Sequence, residues 1–245
     1  MAEAPQANEP LPQIAVVIPC YNAGARIAPV VAAARGRAGR VIVVDDGGTD
    51  GACDGLAGDG VEVLRLPVNR GKGHALLAGI RRALEDPAAR IVCTLDADGQ
   101  HDPAELPGLA AAFDAAHADL LIGRRTFGGA VVPWRSRFGN ETTARVVRLL
   151  LRRDLPDTQC GYRLLSRRFA EALLENVAGG RYETEMEMLV FAVRAGYTVA
   201  YSPIQTLYEP DNQSSHFRKV RDSLRIYARL ARAVLRRPRA PESPK

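Results

Sequence analysis

The stretch from Ile91 to Pro103 reads IVCTLDADGQHDP, a short apolar run that changes abruptly into acidic and polar residues. An apolar run of this length is typical of a buried β-strand, and it places Asp96, Asp98 and Asp102 at the C-terminal end of that strand. Open α/β sheets bind their ligands at the carboxyl ends of the strands. The stretch therefore predicts a strand that carries carboxylates to a ligand site.

The side chains of Asp96, Asp98 and Gln100 form a predicted metal site at this strand end. Two carboxylates separated by one residue, followed by an amide, can converge on one hard cation such as Mg²⁺ or Mn²⁺. Such cations usually bind through one or two carboxylates and the phosphates of a substrate. An EF-hand loop does not fit, because His101 and Pro107 stand where the loop requires Gly and Glu. A solvated acidic turn is the alternative interpretation.

Strands and helices alternate on both sides of this stretch. The predicted strands are 14–19, 40–45, 61–66, the run from Ile91, and 119–123, and the predicted helices between them are 27–35, 71–84 and 103–117. Such alternation implies right-handed crossovers and a single Rossmann-like, doubly wound sheet, mixed but mainly parallel, with helices on both faces. Asp45 and Asp46 follow the second strand and Arg124 follows the fifth, so we expect them at the same sheet edge as Asp96.

The later part of the chain is predicted to add two helices and two strands. The helices are 138–151 and 182–194, and the strands are 197–203 and 204–208. Thr184 is the predicted N-cap of the second helix.

The glycine-rich segment NRGKGH, residues 69–74, matches no common phosphate-binding loop. The G-x-G-x-x-G pattern fails at Leu76, and the Walker A pattern fails because Gly73 follows Lys72 where Ser or Thr is required. The amino end of a helix beside Lys and Arg can still receive phosphate oxygens. A solvated basic loop is the alternative.

Length and composition fit one soluble globular domain. The chain has 245 residues, 47% of them hydrophobic, and no run approaches the roughly 18 consecutive apolar residues of a membrane span. Its four cysteines are scattered without a C-x-x-C pair, which indicates neither a disulfide framework nor a zinc site. Residues 1–12 are rich in Pro and lack the regions of a signal peptide, so we expect a disordered leader and a cytoplasmic protein.

The basic character of the chain belongs to its C-terminal tail. From Asn212 onward there are ten Lys or Arg and two Asp or Glu, which gives the tail a net charge of +8. Because the whole chain has a net charge of +5, the residues before the tail carry −3. Apolar residues recur there every three or four positions, at Phe217, Val220, Leu224, Tyr227, Leu230 and Val234. Arginines recur one step along, at Arg218, Arg221, Arg225, Arg229, Arg232 and Arg236.

This pattern predicts that residues 212–245 form a basic amphipathic helix and tail. The commoner use of such a helix is packing on its own domain with a solvated basic face. Because anionic lipid attracts each Lys or Arg near its surface by roughly 1 kcal/mol, we expect the tail to bind the cytoplasmic membrane face reversibly.

Seven segments, in order, resemble family 2 glycosyltransferases of the GT-A fold, and most closely the dolichyl- and polyprenyl-phosphate sugar synthases. The segments are IAVVIPCYNAG, VIVVDDGGTDGA, NRGKGHALLAGI, TLDADGQHDP, LIGRR, DTQCGYRLLS and YETEMEML. The resemblance implies a GT-A domain over residues 13–211. It implies inverting transfer of a hexose from UDP-hexose or GDP-hexose to a lipid-linked acceptor, polyprenyl phosphate, in the synthesis of cell-envelope glycoconjugates.

The resemblance also implies a role for each matching residue. Asp96, Asp98 and Gln100 would hold the metal, and Arg163 would contact the acceptor. The candidate catalytic residues are Asp157, Arg124 and Glu185. The residues that would hold the nucleotide sugar are Pro19, Tyr21, Asn22, Asp45, Asp46, Lys72, Asp96 and Ala97.

The chemistry of the residues agrees with sugar transfer, because a cation and Arg124 could neutralise a departing diphosphate. A lipid phosphate is already anionic and needs no general base, whereas a hydroxyl acceptor would require Asp157 or Glu185. A nucleotidyltransferase would be expected to carry a glycine-rich loop after the first strand, where only Gly24 stands. A silent nucleotide-binding or nucleic-acid-binding module is the third alternative. The tail has few aromatic residues for base stacking, so we expect no nucleic-acid partner. The sequence predicts no oligomeric state.

Overall fold

The computed structural model describes residues 10–126, 155–181 and 183–206. The strands in these residues are β1 Leu11–Cys20, β2 Ala38–Asp45, β3 Val61–Arg65, β4 Ile91–Thr94, β5 Leu120–Thr126, β6 Arg163–Ser166 and β7 Val199–Gln205. The helices are α1 Ile27–Arg35, α2 Lys72–Leu84, α3 Leu106–Ala115, α4 Arg167–Asn176 and α5 Glu183–Arg194. Short 3₁₀ turns, Gly24–Arg26 and Pro103–Glu105, precede α1 and α3.

The seven strands form one mixed, mainly parallel sheet with the order β3-β2-β1-β4-β6-β5-β7. Strands β1 to β4 pair in parallel, and so do β5 and β7. Seven consecutive residues of β1 and all of β4 are buried, which requires cover on both faces of the sheet. The predicted fold class is therefore confirmed.

Strand β6 is the one antiparallel strand among these seven, and the alternation of strands and helices did not predict it. It runs between β4 and β5, with Arg163 opposite both Thr94 and Ile122. Because β6 begins where β4 ends, the residues before it, 155–162, approach the carboxyl edge of the sheet. This reversal adds a second segment of the chain to the edge that carries Asp96.

Helix α2 packs closely on the centre of the sheet. A Cβ atom added to Gly79 would collide with the side chains of Val17 and Val44, so the helix backbone rests directly on β1 and β2. The side chain of Arg167, at the start of α4, donates hydrogen bonds to the carbonyl oxygens of Leu84, Asp86 and Ala89. These bonds satisfy carbonyl groups at and beyond the end of α2 and join the two halves of the chain.

Some boundaries differ from the predictions. Strand β1 begins at Leu11, inside the predicted leader. The predicted strand began later, at residue 14, because polar Gln13 interrupts the apolar run. Thr184 is not the N-cap of α5, since the helix begins at Glu183 and the buried Thr184 hydroxyl has no hydrogen-bond partner among the described residues. The two predicted strands after residue 197 are one strand, β7.

Three predictions concern residues outside the described ranges: the leader before residue 10, the helix 138–151 and the basic tail. No helix within the described residues is long and apolar enough to cross a membrane.

Candidate active site

The candidate site lies at the carboxyl edge formed by β1, β2 and β4. The register aligns Cys20 with Asp45, so the residues that follow β1 and β2 leave the sheet side by side. Strand β4 ends at Thr94 and is followed by Asp96, Ala97 and Asp98. The structure thus brings together the first, second and fourth of the sequence segments that suggested a nucleotide-sugar site.

Asp96 is held between two parts of the chain. A Cβ atom on Gly161 would lie 2.6 Å from Cγ of Asp96, so only glycine leaves room for this carboxylate. The Thr94 hydroxyl donates a hydrogen bond of 2.8 Å to the Gly161 carbonyl oxygen and fixes the two segments together. Gly161 was not predicted as a site residue, because its role depends on a contact that sequence spacing does not report.

The two acids differ in their electrostatics. Burial raises the pKa of Asp96, but the charge and hydrogen bond of Lys72 outweigh it and the pKa is lowered. Burial, and then the negative charge of Asp96, raises the pKa of Asp98. The Asp98 carboxylate accepts the backbone N–H of Gln100 at 3.0 Å. The pair therefore carries an unfavourable interaction between like charges that a cation would relieve.

Lys72 bridges Asp96 and Glu185. Its Nζ atom lies 2.6 Å from Oδ1 of Asp96 and 2.8 Å from Oε1 of Glu185. Burial acts to lower the pKa of Lys72, but the two carboxylates outweigh it, so the pKa is raised and the ammonium stays charged. The Glu185 side chain is only 8% exposed. The structure thus pairs Lys72, a predicted nucleotide-binding residue, with Glu185, a predicted catalytic residue.

The glycines of NRGKGH are explained by close packing around Lys72. Gly71 has a positive φ of 103°, and a Cβ on it would lie 2.8 Å from the Gly180 carbonyl oxygen. A Cβ on Gly73 would lie 2.6 Å from Cβ of Thr184. These glycines let the first turn of α2 approach the start of α5, which places Lys72 beside Glu185.

Asp46 positions the loop that precedes Lys72. Its two carboxylate oxygens accept the backbone N–H groups of Arg70 at 2.8 Å and Gly71 at 2.7 Å. The Asp46 side chain is buried, so it anchors this loop from within the protein. Its predicted contact with the nucleotide stays a prediction.

The other predicted nucleotide residues lie on the turns after β1 and β2. Oδ2 of Asp45 lies 2.8 Å from Arg65, and its Oδ1 accepts the Gly48 N–H at 2.7 Å. Asn22, with a φ of 49°, accepts the Thr49 N–H at 2.8 Å and ties the two turns together. Tyr21 is 40% exposed beside them.

Two predicted nucleotide residues lie deeper. Pro19 is buried within β1, opposite Val44, and Ala97 is half-buried against the core. Their predicted contacts with the nucleotide stay predictions.

Asp157 forms a two-pronged ion pair with Arg125. Nε of Arg125 lies 2.8 Å from Oδ2, and the second guanidinium nitrogen lies 3.1 Å from Oδ1. The carboxylate also accepts the backbone N–H groups of Arg125, Gln159 and Cys160, five hydrogen bonds in all. Burial raises the pKa of Asp157, but the hydrogen bond and charge of Arg125 outweigh it and lower the pKa. Such an anion is suited to positioning Arg125 rather than to accepting a proton.

The structure adds Arg125, which was not predicted, to the basic residues whose charge acts on Asp96, and the predicted role of Arg124 stays a prediction. Successive side chains of β5 point to opposite faces, and Arg124 is exposed while Arg125 is half-buried. The charge of Arg125 contributes to the lowered pKa of Asp96. The sequence pattern could not decide between them, because the predicted strand 119–123 ends before both arginines.

The position of Arg163 does not fit its predicted contact with the acceptor. It is fully buried, and its guanidinium donates to the carbonyl oxygens of Cys160 at 2.8 Å, Thr158 at 3.0 Å and Glu185 at 2.7 Å. All three guanidinium nitrogens are thus engaged with backbone groups. Arg163 is a structural residue that fixes the segment before β6 against the start of α5, and so places Gly161 and Glu185 around Asp96 and Lys72.

Comparison with known proteins identifies the family of the chain. The sequence profile described as Glycosyl transferase family 2 matches residues 15–174. The chain belongs to glycosyltransferase family 2. A polyprenol monophosphomannose synthase of Mycolicibacterium smegmatis is 34% identical over 214 residues, which cover 82% of this chain and 80% of the relative. An undecaprenyl-phosphate mannosyltransferase of Micrococcus luteus is 32% identical over 173 residues, which cover 67% and 70%.

Solved structures agree with the fold of this glycosyltransferase. A glucosyl-3-phosphoglycerate synthase of Mycobacterium tuberculosis, crystallised with Mn²⁺, UDP and glucosyl-3-phosphoglycerate, matches with a TM-score of 0.67 and 20% identity. The match covers 94% of this chain and 81% of that one. At this identity the likeness supports the fold alone, and it confirms the GT-A architecture.

The acids of the glycosyltransferase fit a divalent cation. No group of three or more His, Cys, Asp or Glu side chains in the described parts of the chain is arranged to hold a metal ion. Two carboxylates are sufficient when substrate phosphates complete the coordination. Asp96 and Asp98 are adjacent, partly buried and mutually repulsive, which is the donor set that such a cation prefers.

Proposed function

We propose that this glycosyltransferase is metal-dependent and inverting, and that it transfers a hexose from UDP-hexose or GDP-hexose to a lipid phosphate. The acceptor is polyprenyl phosphate, and the product serves the synthesis of cell-envelope glycoconjugates. The observation that carries the proposal is the grouping of Asp96, Asp98 and Lys72 at the carboxyl edge of the sheet. These residues combine metal ligands with a charged amine that can bind phosphate.

The residues of the site divide the work of transfer among them. Asp96, Asp98 and Gln100 would hold Mg²⁺ or Mn²⁺, which when bound would supply positive charge against the departing diphosphate. Arg124, exposed near the end of β5, would bind the same diphosphate from solvent. Asp157 holds Arg125 in one orientation near the acids.

The state of the two candidate bases supports a phosphate acceptor. Asp157 accepts five hydrogen bonds, and Glu185 is paired with Lys72. Neither carboxylate is held ready to remove a proton from a hydroxyl group. A lipid phosphate is anionic at neutral pH and attacks the sugar carbon without a base, so this chemistry matches the site better. The relatives named for polyprenol and undecaprenyl phosphate act on acceptors of this class.

A product screen tests the proposal directly. The enzyme is incubated with UDP-glucose or GDP-mannose, with Mg²⁺ or Mn²⁺, and with either undecaprenyl phosphate or undecaprenol, which differ only in the phosphate. We expect a glycolipid with the phosphate acceptor alone, and none in excess EDTA. Transfer to undecaprenol alone would establish a hydroxyl acceptor. Undiminished transfer in excess EDTA would show that the reaction does not require a metal ion. Release of pyrophosphate from a nucleoside triphosphate and a sugar phosphate would indicate a nucleotidyltransferase instead.

We also propose that the enzyme acts at the cytoplasmic membrane face, bound through its basic tail. Replacing Arg218, Arg221, Arg225 and Arg229 by Gln in the full-length chain should reduce binding to anionic vesicles by about a hundredfold or more, since each of the four arginines contributes roughly 1 kcal/mol at such a surface. Sedimentation with vesicles at low and high salt measures this, and vesicles of neutral lipid are the control. Equal binding of the two proteins to anionic vesicles would contradict a role of the tail in membrane attachment.

A further inference from the structure

Lys72 occupies a position that conflicts with metal binding at Asp96. Its Nζ atom lies 2.6 Å from Oδ1 of Asp96, which is the closest charged contact of that carboxylate in the described part of the chain. A divalent cation bound to the same carboxylate would repel an ammonium at this distance. Metal binding therefore requires Lys72 to move away from Asp96.

Glu185 provides a place to which Lys72 can withdraw. It lies 2.8 Å from the same ammonium, its side chain is only 8% exposed, and it belongs to α5 rather than to the segment after β4 that carries the acids. An isolated buried carboxylate is costly, and Lys72 is the cation that pairs with Glu185 in the described part of the chain, so Glu185 favours keeping Lys72 near it. A small side-chain rotation would release Asp96 and keep the pair of Lys72 with Glu185.

The surrounding backbone keeps the Lys72 side chain within reach of Asp96 and Glu185. Its residue opens α2 between Gly71 and Gly73, whose close contacts with Gly180 and Thr184 fix the helix start. Asp46 holds the preceding backbone through two hydrogen bonds. The side chain can therefore move while its origin stays in place.

We propose that Lys72 is a resident counter-ion that holds Asp96 until the divalent cation binds and then yields it to the cation, with Glu185 retaining the displaced ammonium. The inference rests on the proposed metal site at Asp96 and adds an order to its assembly. A cation alone binds weakly, because it must displace Lys72. A nucleoside diphosphate offers the displaced ammonium a second partner, so cation and nucleotide strengthen each other's binding.

The loss of the electron paramagnetic resonance signal of free Mn²⁺ measures binding without any catalytic turnover. Without nucleotide, Lys72→Met should bind Mn²⁺ about ten times more tightly or better, because a neighbouring opposite charge changes the proton affinity of a carboxylate by roughly one to three powers of ten. Arg70→Met, which removes an exposed positive charge two residues away, is the control for long-range charge and should change the affinity much less. Lys72→Gln keeps a hydrogen-bond donor toward Glu185 and covers the case in which Lys72→Met does not fold.

A second comparison tests the part played by Glu185. Glu185→Gln should weaken Mn²⁺ binding several-fold in the native background, because Lys72 then pairs with Asp96 alone. It should have little effect when Lys72 is already Met, since Glu185 acts through Lys72. Equal losses of Mn²⁺ affinity in both backgrounds would show that Glu185 acts on the cation directly through its charge, and its proposed action through Lys72 would be wrong.

The outcomes separate this inference from the proposed function. If the native enzyme binds Mn²⁺ as tightly as Lys72→Met, or if Arg70→Met has the same effect, the counter-ion role is wrong while the metal site stands. If neither the native enzyme nor any variant binds Mn²⁺, with or without UDP or GDP, both the metal site and the counter-ion role are wrong.

Discussion

Replacing Asp96 by Asn is expected to reduce sugar transfer by about a thousandfold, with the protein still folded. A neutral amide is a poor ligand for a hard cation, and loss of the cation removes several kcal/mol of charge stabilisation from the departing diphosphate, at roughly 1.4 kcal/mol for each factor of ten. Asn has nearly the same shape as Asp and still fits against Gly161. We expect Asp98→Asn to have a similar effect.

Asp102→Asn is the matched control, since Asp102 belongs to the same acidic stretch. Its carboxylate accepts the backbone N–H of Ala104 and caps a 3₁₀ turn, which Asn does equally well. The three variants are compared by kcat/KM for transfer, by Mn²⁺ binding and by thermal unfolding. Full activity of Asp96→Asn, or a loss in Asp102→Asn as large as in the other two, would contradict the assignment of the metal ligands.

Replacing Arg163 by Met is expected to lower the free energy of unfolding by about 3 kcal/mol or more. The side chain is fully buried and donates to three backbone carbonyl oxygens, of Cys160, Thr158 and Glu185. A buried polar group that loses its partner costs roughly 1 to 3 kcal/mol, and three groups lose theirs together. Arg163→Lys should recover only part of the loss, because one ammonium cannot reproduce the planar fork of donors.

Urea unfolding of Arg163→Met and Arg35→Met provides the measurement and its control. Arg35 forms an exposed ion pair with Asp59, so its removal should change stability by about 0.5 kcal/mol or less. If Arg163→Met keeps the native stability and only raises KM for the acceptor, the guanidinium contacts the acceptor after all. A decrease in stability together with changes in the kinetics of both substrates would agree with a structural role.

The structure differs from the prediction made from the sequence most clearly at the arginines. A fully buried guanidinium and one that binds a ligand are the same residue type, and both can stand in a motif beside a strand. Arg163 is distinguished only by three carbonyl oxygens that converge on it from two segments, 158–160 and 185. Arg125 is distinguished from Arg124 by its partner Asp157, which is 32 residues away in the sequence.

The sequence by itself determined the family, the α/β fold and the strand ends that carry Asp45, Asp46, Asp96 and Asp98. These features depend on local burial and on the order of motifs along the chain, and local patterns report both. The tertiary structure alone decided which charges meet. The antiparallel entry of β6, the contact of Gly161 with Asp96, and the bridge from Lys72 to Glu185 across 113 residues all join distant segments. Hydrophobic periodicity records whether a residue is buried, but the partner of a buried charge is set by packing between elements, which the periodicity of neither element contains.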